Sequence, residues 1–175
     1  MRFLGKVVLV LFISVIFGLG SNQAKAEPHD DLIPLLINVK GWTAKAGKGT
    51  SLMGSGRGGK SMKMISAGRR YEKAKKHIDV NIMVNSGSPS ANQVKEYSMD
   101  TPSMSIKTTK VDNFWVNTIF NKKLNAGQVF VSLSKNDDTH ALLNLGFVNM
   151  SAKEAVAFAK QFKWKVIQSR TEKLL

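Results

Sequence analysis

The chain has 175 residues, with 26 Lys and Arg against 12 Asp and Glu for a formal charge of +14, three His and no Cys. The missing cysteines exclude disulfides and a lipidated N-terminal cysteine, so the folded state must rest on apolar burial. So basic a balance favours polyanionic partners, and in a cytoplasmic protein it would point to nucleic acid.

The first 26 residues redirect that inference. Arg2 and Lys6 make a positive n-region, Val7 to Gly20 an apolar run of 14 residues, and Ala24-Lys25-Ala26 a small-x-small cleavage site before Glu27. The run is shorter than the roughly 18–20 residues of a membrane-spanning helix. It predicts a cleavable secretory signal and no transmembrane span after cleavage. Losing Arg2, Lys6 and Lys25 but no acidic residue leaves 149 residues at +11, a length that suits a single domain over residues 27–175. The expected location is the periplasm, with secretion as the alternative. The polyanions met there are lipid head groups, lipopolysaccharide and acidic cell-wall polymers.

Along the mature chain, Asp31 to Leu36 predicts one or two helical turns, cut short by Pro34 and Lys40-Gly41. Residues 44–60, with glycines at 47, 49, 54, 56, 58 and 59 among Lys and Ser, predict a Gly/Lys-rich surface loop. Ser61 to Tyr71 and His77 to Asn85 predict an antiparallel hairpin joined by Glu72 to Lys76. In its second strand Ile78, Val80, Ile82 and Val84 alternate with His77, Asp79, Asn81 and Met83, the period of a half-buried strand. Ser88-Pro89 predicts the start of a short middle helix through Ala91 to Tyr97, ended by Thr101-Pro102. Phe114 to Phe120, Gln128 to Leu133 and Ala141 to Val148 predict further strands with short connections, where Asn125 and Gly127 tolerate positive φ. Ser151-Ala152-Lys153-Glu154 is a capping box opening an amphipathic helix to about Trp164. The expected fold is α+β: a mostly antiparallel sheet of about five to six strands, with the C-terminal helix and the middle helix packed on it. Phe114, Trp115, Phe120, Phe130, Phe158, Phe162 and Trp164 are the expected aromatic core.

Several chemistries are weighed and set aside. Gly54 to Ser61 matches G-x-x-x-x-G-K-S, but a phosphate-binding loop needs an apolar strand before it and a helix after it. Here no apolar run precedes the loop and a strand is expected to follow it. His29 would be third in the mature chain, yet Pro28 has no amide hydrogen to give up to copper or nickel. With three histidines, no cysteine and only a loose Asp137, Asp138 and His140 grouping, no metal or cofactor is expected. No nucleophile elbow is present, and no catalytic residue is assigned. What remains is a basic cluster: Arg57, Lys60, Lys63, Arg69, Arg70, Lys73, Lys75 and Lys76. Such a cluster is either a solvated face or an electrostatic contact. As a contact, it assigns Arg57, Lys60, Arg69, Arg70 and Lys73 to an anionic partner. Few aromatics interleave with it, which argues against nucleic acid.

Leu35-Leu36 with Gly41-Trp42, then Ser66-Ala67-Gly68-Arg69-Arg70-Tyr71 and Ile78-Asp79-Val80-Asn81-Ile82, resemble a group of small exported bacterial proteins of uncharacterised function. Gly127 to Val131 and Leu142 to Phe147 before a final helix fit the same plan. The resemblance covers about half of the mature chain and implies export and an α+β domain, but no activity. The chain departs from the group in its basic charge and in lacking a proline before Gly-Trp. Its element order is also similar to the PsbP-like α/β sandwich, a likeness of fold that transfers no function. The expected role is a non-enzymatic envelope accessory or binding protein whose partner is an envelope protein or an anionic lipid or polymer. Peripheral contact with a membrane surface belongs to the same expectation. A small periplasmic hydrolase with a site assembled from distant residues is the alternative.

Overall fold

The computed structural model describes residues 27–55, 61–86, 95–134 and 139–174. The secretory signal expected at 1–26, Arg57 and Lys60, and the middle helix as far as Val94 lie outside them. Among the described residues nine strands form one sheet in an α+β fold: β1 (Thr43–Ala44), β2 (Lys48–Ser55), β3 (Ser61–Lys73), β4 (Lys76–Ser86), β5 (Tyr97–Asp100), β6 (Met104–Val111), β7 (Phe114–Asn121), β8 (Ala126–Ser132) and β9 (Thr139–Val148). All pairings are antiparallel. The order is β1-β3-β4-β9-β8-β7-β6-β5, with β2 also on β3 along the edge that β1 occupies. Two meanders, β2 to β4 and β5 to β9, thus meet where β4 pairs with β9.

One face of the sheet is apolar because every central strand keeps its period. Ile65, Ala67 and Tyr71 of β3, Ile78, Val80, Ile82 and Val84 of β4, Val129 and Val131 of β8, and Leu143, Leu145 and Phe147 of β9 are all buried on it. Two helices cover this face, α1 (Ala152–Ala159) and α2 (Trp164–Glu172). The capping box at the start of α1 is formed, with the Ser151 hydroxyl accepting from the Glu154 amide at 3.2 Å and the Glu154 carboxylate accepting from the Ser151 amide at 2.9 Å. Phe158 and Phe162 pack edge-on against Tyr71, as does Phe114 against Trp164. The N-terminal segment makes two short 3-10 turns, Pro28–Asp31 and Ile33–Leu35, and adds Leu32, Leu36 and Val39 to the same core. Among the described residues no helix is long and apolar enough to cross a membrane.

Several expectations are corrected. The sheet has nine strands rather than five to six, and the C-terminal helix is two helices. A single helix through Trp164 fails because the apolar stripe changes phase: Phe158 and Phe162 are four apart, but Trp164 is only two further on, roughly 200° around a helix. The chain turns instead, and the buried Trp164 indole donates to the Ala159 carbonyl at 2.8 Å, closing the end of α1. Lys95 and Glu96 are not helical and Tyr97 opens β5, so the middle helix does not reach its expected end. Trp115 and Phe130 are half-buried on the face without helices rather than in the core.

The largest difference is β2, which runs through the expected loop at 44–60. Gly47, just before it, and Gly49, within it, serve close approach. A Cβ at Gly49 would fall on the His29 ring, and one at Gly47 would stand 2.9 Å from Ile33 Cγ2, so these positions let the N-terminal turns lie on the edge strand. Between β1 and β2, residues 45–47 face only Arg69 and Arg70, since Ala44 pairs with Tyr71 and Lys48 with Gly68. One extra residue in the edge strand makes a β-bulge. Gly127 is a further close-approach site. It sits in register between Phe120 and Phe147, whose rings stack 6.1 Å apart at 16°, and a Cβ there would meet the Ile119 carbonyl and the Phe147 ring. Asn125 has positive φ, as expected, and Gly127 does not.

Candidate functional site

A strand of 13 residues is about 40 Å long, and β3 is such a strand. Of the basic residues assigned from sequence, Arg69, Arg70 and Lys73 lie in its last third, at the end that turns into β4. Arg57 and Lys60 lie outside the described residues, and Lys73 is the last residue of the strand. Arg69 and Arg70 are neighbours and so project to opposite faces. The Arg69 guanidinium donates to the Leu36 carbonyl at 2.6 Å, the Lys45 carbonyl at 2.6 Å and Asn38 Oδ1 at 2.7 Å, and it lies 5.6 Å from the Tyr71 ring centroid. It ties the N-terminal segment and the bulge to β3. Arg70 makes a two-pronged bond to Asp79 at 2.6 and 2.7 Å, which holds the Asp79 carboxyl below its ordinary range. Lys63 is occupied too, its ammonium reaching the Leu174 carbonyl just beyond α2 at 2.5 Å. The strand after Ser61 also removes the helix that a phosphate-binding loop would need.

Lys73 belongs to a different constellation. Three connections converge around it to form a groove of about 880 Å³, within the range of small-molecule sites. The first is the turn Val39 to Trp42, closed by the Trp42 amide on the Val39 carbonyl at 3.1 Å. Gly41 has φ +79°, the conformation that the third residue of a type II turn needs. This turn brings Lys40 and Trp42 to the groove. The second is the two-residue turn between β3 and β4, where Ala74 has φ +53° and Lys73, Lys75 and Lys76 fan out. The third is the β9 to α1 connection, where the Asn149 side chain donates to the Lys75 carbonyl at 2.7 Å and fixes the turn beside it.

The floor is apolar: Val39, Met150 and Phe158 are buried, and the half-exposed Trp42 ring meets Phe158 edge-on at 4.9 Å. Four lysines surround it, with Glu154 as the acid in the lining. Glu154 accepts from Lys76 at 2.7 Å. That bond, with the Ser151 amide and hydroxyl, holds its carboxyl at about 2, well below the ordinary 4.5. It stays ionised and neutralises Lys76, leaving Lys40, Lys73 and Lys75 to set a positive rim. Because the folded-state value is depressed, the stabilisation from Glu154 is full above pH 4.5 and is lost as pH falls toward 2. Thermal melts should show this: Glu154→Gln is expected to lower Tm at pH 7 and to match the parent near pH 2. An equal offset at both pH values would sever the link to ionisation.

Sequence reasoning assigned Lys73 and not its companions Lys40, Trp42, Asn149 and Met150. The turn signal Lys40-Gly41-Trp42 and the capping box were both legible, but the register that brings them side by side is not local. Among the described residues no three His, Asp or Glu side chains gather closely enough to hold a metal ion. No protein-family model, curated protein or solved structure matches the chain.

Proposed function

We propose that the protein is an exported, non-enzymatic binding protein of the cell envelope, and that its partner is an anionic component with an apolar portion held in the lysine-rimmed groove. The observation that carries this reading is the arrangement of Lys40, Lys73 and Lys75 around a floor of Trp42, Phe158 and Met150, with the one acid already paired to Lys76. Apolar contact supplies affinity and the ammonium groups select the sign of the ligand. The signal expected at residues 1–26 supports a location outside the cytoplasm, in the periplasm or beyond it.

The test uses a protein beginning at Glu27, which retains every buried residue described, from Leu32 to Thr171. Monomeric dodecanoate should bind saturably and change tryptophan emission through Trp42, whereas dodecyltrimethylammonium and inorganic phosphate should not. Lys40→Glu, Lys73→Glu and Lys75→Glu together should weaken dodecanoate at least about tenfold. Equal binding of the cationic amphiphile, or an unchanged triple variant, would refute the reading.

A further inference from the structure

At the end of the sheet away from the groove, three neighbouring strands bring a soft ligand set onto the helix-free face. Met64 of β3 lies opposite Asn85 of β4, and Asn85 lies opposite His140 of β9. Met83 stands two residues before Asn85 on the same strand, so all four project from one face, the reverse of the one that buries Ile65, Val84 and Ala141. Strands about 4.8 Å apart and alternate residues about 6.7 Å apart set Met64, Met83 and His140 each roughly 5 Å, in the plane of the sheet, from a common point beside Asn85. Extended methionine and histidine side chains span that interval. Met64 and Met83 are 41 and 38 % exposed, and His140 is half-buried. Leu52, Ser66, Asn81 and Leu142 border the three on the same face, and none carries a charge. At the centre, Asn85 Oδ1 is buried without a hydrogen-bond partner among the described residues, an uncommon state for an acceptor and one that a cation held above it would offset.

We infer that Met64, Met83 and His140 bind one soft monovalent cation, Cu(I) or its redox-stable analogue Ag(I), through two thioether sulfurs and one imidazole nitrogen. Thioethers select Cu(I) among the biological metals. Zinc would want thiolates, carboxylates or more imidazoles, and calcium or magnesium an oxygen cage, which this neutral surround does not offer. The expectation of no metal from sequence weighs His, Cys and acidic ligands, and a thioether is none of these. In a chain without cysteine it is a soft ligand that needs no deprotonation and forms no disulfide, which suits the exported location proposed above. An imidazole ligates through one nitrogen while the other keeps a hydrogen bond. The site is independent of the groove, which lies at the opposite end of the β3–β4 pairing.

The experiment titrates the protein beginning at Glu27, isotopically labelled at its methionine methyls, with Ag(I), and then with Cu(I) under ascorbate against a chromophoric Cu(I) chelator. A single equivalent of either should bind and shift the Met64 and Met83 methyl resonances, leaving those of Met53, Met99, Met104 and Met150 in place. Loss of an outer-shell partner alone costs a metal site about 10–100-fold in affinity, so Met64→Leu, Met83→Leu and His140→Ala should each weaken Ag(I) at least about tenfold. The two leucine variants, at exposed positions, should keep the parent far-UV spectrum and Tm. Met53→Leu, whose side chain leaves the other face of the sheet opposite Lys63, should bind Ag(I) as the parent does. Absence of saturable Ag(I) binding overturns the inference, as does its survival in the Met64→Leu, Met83→Leu double variant. So does failure of Cu(I) to displace Ag(I), or Zn(II) binding of equal affinity, which would reduce the site to its imidazole.

Discussion

Phe158→Ala is expected to destabilise the protein by about 3–5 kcal/mol, the usual cost of deleting a buried phenylalanine. The ring is 5 % exposed and holds three aromatic neighbours at once: Trp42 at 4.9 Å, Tyr71 at 5.3 Å and Phe162 at 5.7 Å. These come from the N-terminal turn, β3 and the segment after α1, so no single element can relax to fill the space. Urea unfolding should show a lower midpoint at unchanged m. Trp42→Ala, which removes a half-exposed ring from the same contact, should cost less while affecting dodecanoate binding directly. A Phe158→Ala cost below about 1 kcal/mol would mean that the groove floor collapses freely and is not a preformed surface.

Arg69→Ala is expected to cost about 2–3 kcal/mol, because charge-assisted bonds are worth more than neutral ones and three acceptors lose their donor. Lysine should recover little of it: an ammonium is a point donor and cannot reproduce a planar fork bonded to Leu36, Lys45 and Asn38 together. Binding to the groove should be unaffected at temperatures where the variant stays folded. Thermal melts of Arg69→Ala and Arg69→Lys, paired with dodecanoate titration of each, check both halves. Weakened binding with undiminished stability would restore Arg69 to the role that the basic cluster suggested.

The contrast between Arg69 and Lys73 shows where the sequence is legible. Strand β4 is plain in the chain because burying one face imposes a strict alternation, Ile78 to Val84, and β7, β8 and β9 follow the same rule. Strands β2, β5 and β6 lie at or near the sheet edges, where half-exposed Ser, Thr, Lys and Gly satisfy a ladder without any apolar period. Gly47 and Gly49 read as flexibility because what they approach, Ile33 and His29, is distant in sequence. For the site, charge alone marked five residues, but charge does not reveal acceptors. Arg69 is consumed by two backbone carbonyls and an amide that only the fold brings near, and Arg70 by Asp79 across the hairpin. Lys73 is left to the groove because its turn projects past the sheet.

The bulge between β1 and β2 also governs how copies of this protein meet one another. An unpaired edge invites a neighbour's strand to add on, and a straight edge from Thr43 to Ser55 would offer a long template for such growth. The extra residue at 45–47 throws the outward amides and carbonyls out of step, and the exposed Lys45 and Lys48 on either side of it would set like charges against each other in any edge-to-edge pair. The opposite edge, β5, is four residues long. Both edges are therefore poor templates for strand addition, one because it is broken by the bulge and the other because it is short.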